Sequence, residues 1–106
     1  MRQFETLLLF SPELSADNRE GMLKNIVAII EREGGKIEKI DQWGMRDLAY
    51  PVRKQMRGYY VLVVYEGPSA LVAELERNLR ITEGIFKFLT VRLDEDEDSD
   101  KKEEAA

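Results

Sequence analysis

The stretch Gly58 to Glu66, GYYVLVVYE, constrains the fold more than any other part of the chain. Its β-branched and aromatic residues, ended by the breaker pair Gly67-Pro68, predict a strand. Side chains alternate across a strand, so Tyr59, Val61, Val63 and Tyr65 share one face while Tyr60, Leu62 and Val64 share the other. A half-exposed strand alternates apolar with polar residues, and this one does not. Whatever the fold, both faces of this strand need cover.

The remaining segments narrow the choice. Arg2 to Phe10 (RQFETLLLF), ended by Ser11-Pro12, predicts another strand, with Phe4, Leu8 and Phe10 on one side and Leu7 and Leu9 on the other. Ser15 is placed to cap a helix from Ala16 to Glu33, where Met22, Leu23, Ile26, Val27, Ile29 and Ile30 recur at three-to-four spacing until Gly34-Gly35 stops it. Lys36 to Tyr50 reads as a long strand whose apolar positions change phase, which predicts bulges, above all beside Gly44. Pro51 lacks a ladder donor and belongs at the end or solvent side of an edge strand; VRKQMR, Val52 to Arg57, then reads as a hairpin loop. Ser69 is placed to cap a second helix, Ala70 to Leu79, and Gly84 precedes a last strand, Ile85 to Leu93.

The order β-α-β-β-α-β predicts an α+β fold, a ferredoxin-like sandwich with a four-stranded antiparallel sheet and both helices on one face. Right-handed crossovers put the first and third strands in the centre and the second and fourth at the edges. The helices cover only one face. The apolar residues of the other imply a protein partner, self-association or a stacking ligand.

Charge divides the chain of 106 residues in two: 1–93 carries a net charge of +1, whereas 94–106, DEDEDSDKKEEAA, carries −6. The first part is expected to form one domain; the second, without apolar residues to bury, is expected to be a disordered acidic tail. Cysteine and histidine are absent, which removes disulfides, thiolate chemistry, the usual zinc ligands and the commonest general base. No metal or cofactor is expected, and catalysis is disfavoured. With no apolar run of membrane-spanning length and no secretory signal, the expected location is cytoplasmic.

Positive charge gathers between Gly44 and Tyr60, where Arg46, Arg53, Lys54 and Arg57 face a single acid, Asp47. Guanidinium and ammonium groups on a hairpin suit phosphate oxygens. RNA-recognition modules share the β-α-β-β-α-β order, yet Tyr60 stands where their third strand has a small residue and Val61 where it has an aromatic, so a base-stacking platform is not expected.

The linear pattern from Trp43 to Lys54 (WGMRDLAYPVRK), followed by Gly58-Tyr59-Tyr60, closely resembles the bacterial small-subunit ribosomal protein S six family. Met1 to Thr6 (MRQFET), Ser11-Pro12, Asn78-Leu79-Arg80-Ile81, Ile85 and Val91-Arg92 fit the same family. The resemblance implies a ribosomal component that binds the central domain of small-subunit rRNA as a heterodimer with protein S eighteen. By the same resemblance, Arg2, Arg46, Arg53, Lys54, Arg57, Arg80, Lys87 and Arg92 are candidate rRNA-binding residues. Trp43, Leu48, Tyr50 and Tyr60 are candidate protein-partner residues. Two other classes compete. A regulatory domain of the same fold would homodimerise through the open sheet and bind an effector. An acylphosphatase would need an arginine in the loop after the first strand, where Ser11 to Ser15 instead brings Glu13.

Overall fold

Six elements follow one another: β1 (Arg2–Phe10), α1 (Ala16–Arg32), β2 (Lys36–Val52), β3 (Gln55–Gly67), α2 (Ser69–Arg80) and β4 (Ile85–Arg92). The structure, a computed structural model, describes residues 2–93; the expectation for the acidic tail concerns 94–106, outside the described residues. The strands form one antiparallel sheet in the order β2-β3-β1-β4. The two most apolar strands are therefore central, as the crossover rule requires.

The core lies between the helices and one face of the sheet. Phe4, Leu8 and Phe10 of β1 and Val61, Val63 and Tyr65 of β3 pack against Leu23, Ile26 and Ile30 of α1 and Leu71, Leu75 and Leu79 of α2. Both helices bury one stripe at three-to-four spacing. Each fully buried large side chain contributes about 1.5–3 kcal/mol. Within the first strand, Thr6 takes a core position and is 1% exposed. Its hydroxyl is satisfied by the Tyr65 hydroxyl and the Thr90 hydroxyl, each at 2.8 Å. This chain of hydroxyls crosses β3, β1 and β4.

Four boundaries differ from expectation. The segment Val52 to Arg57 is not a loop: β2 and β3 run on as a ladder, with Asp47 opposite Arg57 and Val52 opposite Gln55, so the turn is only Arg53-Lys54. Both turn residues adopt positive φ, which lets the hairpin close in two residues. The second helix is capped by Pro68, in extended conformation and without a side-chain bond, and Ser69 is its first residue. Ser15 does cap α1, its hydroxyl accepting the Asn18 amide at 3.1 Å. The last strand ends at Arg92 rather than Leu93, and α1 at Arg32 rather than Glu33.

Burial holds the Tyr65 hydroxyl's pKa above its ordinary value, outweighing the Thr6 and Thr90 hydrogen bonds that lower it. Ionisation is thus harder in the folded chain than in the unfolded one, and the stabilising difference is present below about pH 10 and lost as pH rises above it. Tyr65→Phe is expected to cost about 1 kcal/mol in urea unfolding at pH 7 and to blunt the alkaline loss of stability. Thr6→Val, which removes both bonds, is expected to cost about 2 kcal/mol.

Candidate nucleic-acid and partner interface

The irregularities of β2 build the site. Its register against β3 shifts at Glu38, at Trp43 and between Asp47 and Val52. In the last of these, Leu48, Ala49, Tyr50 and Pro51 stand opposite Met56 alone, so this block leaves the ladder as one large bulge. Pro51 then costs no ladder bond. The block turns onto the helix-free face, where Leu48, Tyr50 and Val52 line a groove with Leu9, Tyr60 and Lys87. Leu9 is buried beneath it at 3% exposure. It fits because a Cβ on Gly58 would collide with the Leu9 side chain.

The smaller bulge does the same work nearer the middle of β2. Gly44 has a φ of +94°, which only glycine takes readily, and the extra residue beside it, Trp43, is turned to the open face. There its ring lies 6.0 Å from that of Tyr60. The four candidate partner residues, Trp43, Leu48, Tyr50 and Tyr60, are thus gathered on one face. Leu7, Leu9, Tyr60 and Leu89 line a shallow depression beside them. The opposite end of this face carries Gln3, Lys36 and Glu66, which the register brings together, with Glu5 beside them between Val64 and Val91.

Candidate RNA-binding residues do not form one cluster. Arg53, Lys54 and Lys87 lie at the hairpin end of the sheet, and Arg80 ends α2 on the same side. The Arg53 guanidinium carbon lies 5.4 Å from the Phe86 ring centre and that of Arg80 lies 5.8 Å from Phe88. Lys87 donates to the Tyr50 hydroxyl at 3.1 Å, which ties β4 to the bulge of β2. Arg46 sits across the sheet on Trp43, donating to its carbonyl oxygen at 3.4 Å. Arg57 is bound to Asp47 at 3.1 Å. Arg2 and Arg92 stand at the far end of the sheet, near the Phe4 pairing.

The helical surface has a different character. Arg77 and Arg32 both reach Glu74, at 2.6 Å and 3.7 Å. Hydrogen bonds from Arg77 hold the Glu74 carboxyl below the usual carboxylate range, and the same contact raises Arg77. Charge there is spent internally. Sequence reasoning passed over two features of the last strand, the exposed pair Leu89 and Val91 and the rings Phe86 and Phe88. A period-two reading of IFKFLTVRL separates Lys87, Leu89 and Val91 from Phe86 and Phe88, and that signal would have found both.

Among proteins of known family, the description Ribosomal protein S6 matches residues 3–92 of this chain. The small ribosomal subunit protein bS6 of Desulfovibrio desulfuricans is 70% identical over 93 residues, covering 88% of this chain and 91% of that protein. Its counterpart in Oleidesulfovibrio alaskensis is 58% identical over 106 residues, 100% of both chains. The crystal structure of 30S ribosomal protein S6 from Thermotoga maritima aligns with a TM-score of 0.84 at 30% identity, covering 98% of this chain and 95% of that one.

The hairpin turn carries a cost that its position helps to explain. Arg53 and Lys54 have φ of +55° and +67°, a region where an L residue with a Cβ costs about 1–2 kcal/mol. Asn-Gly is the usual solution for such a turn. Here two cations hold those positions at that conformational cost. The double substitution Arg53→Asn with Lys54→Gly is expected to raise unfolding free energy by about 1–2 kcal/mol, measured by denaturant titration.

Proposed function

The chain belongs to the ribosomal protein S6 family, and we propose on that premise that it binds the central domain of small-subunit rRNA jointly with protein S eighteen, as a heterodimer. Membership makes it a structural component of the small ribosomal subunit. Its contribution is recognition and support rather than catalysis. Among the described residues no helix is long and apolar enough to cross a membrane.

One observation carries the reading: a half-apolar open sheet face adjoins a margin of cations. Trp43, Leu48, Tyr50 and Tyr60, with Leu7 and Leu89 beside them, supply apolar area that α1 and α2 leave uncovered. Leu89 is 62% exposed and Val91 40%, more than an unpartnered sheet face normally presents. Protein S eighteen takes that face. Arg53, Lys54, Lys87 and Arg80 meet phosphates at the hairpin end, Arg46 and Arg57 at the β2 side, and Arg2 and Arg92 at the far end. Phosphate contacts of this kind position a protein on its RNA without reading sequence. Burying the open face immobilises the bulge beside the cations, so the two binding events favour each other.

The experiment is to titrate a central-domain RNA fragment with the chain, with protein S eighteen, and with both. The pair is expected to bind about tenfold or more tightly than either alone, within the usual range of coupling between sites. Leu89→Asp is expected to leave thermal stability nearly unchanged, since the site is exposed, and to abolish the gain from the second protein. Independent binding by the two proteins, or full cooperativity in that variant, would count against the arrangement.

A further inference from the structure

The cations of this protein are held in two ways. Arg57, Arg32 and Arg77 rest on carboxylates, at 3.1 Å to Asp47, 3.3 Å to Glu33 and 2.6 Å to Glu74. At the β4 margin the seats are rings. Arg53 lies over Phe86, Arg80 over Phe88, and Lys87 over Tyr50 with its ammonium 5.0 Å from the ring centre. Phe86, Lys87 and Phe88 are consecutive, so two of the rings and the lysine seated on the third, Tyr50 of β2, fall within roughly 7 Å of one strand. β4 is an edge of the sheet, with its outer side unpaired in the ladder.

The distinction matters for an anionic ligand. A carboxylate cancels a cation's charge and competes with phosphate for its donors. An aromatic face attracts the cation through its quadrupole, narrows its rotamers and leaves the formal charge intact. Lys87 gives one donor to the Tyr50 hydroxyl and keeps two for another acceptor. Compensation is incomplete rather than absent: Glu76 lies 3.9 Å from Arg80, and Glu13 and Glu83 line the cleft that holds Arg53 and Phe86. Glu13 there accepts from Gln55 at 3.2 Å.

We propose that the outer edge of β4 is the track for one stretch of RNA phosphodiester backbone, and that Phe86, Phe88 and Tyr50 are positioning residues that pre-order Arg53, Arg80 and Lys87 for its phosphates. This rests on the rRNA-binding function proposed above and specifies where on the chain the backbone lies. The rings touch no phosphate. They reduce the conformational freedom each cation loses on binding, which tightens the complex without adding a charge contact. Arg32, Arg57 and Arg77 lie off the track.

Salt dependence separates a ring from a cation, because the slope of affinity against salt counts the phosphates neutralised. The full chain with protein S eighteen is titrated against the central-domain RNA fragment over a range of salt. Arg53→Gln, Arg80→Gln and Lys87→Gln are each expected to flatten the logarithmic slope by about 0.7–0.9. Phe86→Leu is expected to weaken binding about two- to fivefold at every salt concentration with the slope unchanged, and Phe86→Tyr to restore it. Phe86 is half-buried at the strand's start, so it is the decisive ring; Phe88 packs on the core, and Tyr50 also lies on the partner face. Wild-type affinity in Phe86→Leu, with thermal unfolding intact, would overturn the positioning role. Full slope in the three cation variants alongside a flattened slope in Arg46→Gln and Arg57→Gln would move the RNA to β2 and overturn the track while leaving rRNA binding in place. No RNA binding by the unaltered pair would remove the proposed function itself.

Discussion

Two helices cover one face of a sheet whose central strands are apolar on both. Every distinctive feature of the molecule follows from that mismatch. On the covered side, β1 and β3 place Phe4, Leu8, Val61 and Tyr65 under α1 and α2, and the polar residue among them, Thr6, is satisfied by two hydroxyls. On the uncovered side the chain shields itself only in part. The block Leu48 to Pro51 leaves its ladder and covers Leu9, while Leu89 and Val91 stay open. An exposed apolar surface of this kind is what the proposed protein partner would cover.

An edge strand can be irregular in a way that a central one cannot, because it owes hydrogen bonds to one neighbour only. β2 uses that freedom three times. Each bulge redirects a residue that regular alternation would have placed elsewhere: Trp43 joins Tyr60, and Tyr50 reaches Lys87 on the opposite edge of the sheet. The same irregularity keeps a long edge from pairing with another chain. Protection of the edge and construction of the site are one device.

Charge is organised by what holds it. Arg32 and Arg77 on the helices and Arg57 on β3 face carboxylates, and their contribution to long-range attraction is small because exposed pairs offset each other, whereas Arg19 and Arg46 lie against the rings of Tyr59 and Trp43. Arg53, Arg80 and Lys87 around β4 face rings and are only partly compensated, Arg80 by Glu76 at 3.9 Å. Family membership makes the chain a small-subunit component, and the proposed function sets that margin against its RNA. The positive-φ turn at Arg53 and Lys54 adds two cations at the tip of the hairpin, at a local conformational cost.

The strand order, the placement of the central strands, the bulge at Gly44 and the Ser15 cap were legible in the chain because each depends on near neighbours in sequence: period, breakers and capping side chains. Trp43, Leu48, Tyr50 and Tyr60 were also identifiable as residue types, but not as a single surface. Their common face comes from register shifts, and a shift of one residue sends a side chain to the other side of the sheet. The hairpin was misread as a loop for a related reason: Val52 to Arg57 has weak strand character, and only pairing across to the partner strand makes it a ladder. Residue identity by itself determined what the chain can bury and which charges it can offer. Tertiary structure alone decided which cations rest on rings and which on carboxylates, because those contacts join residues up to 42 positions apart in the chain and depend on where the fold brings them together.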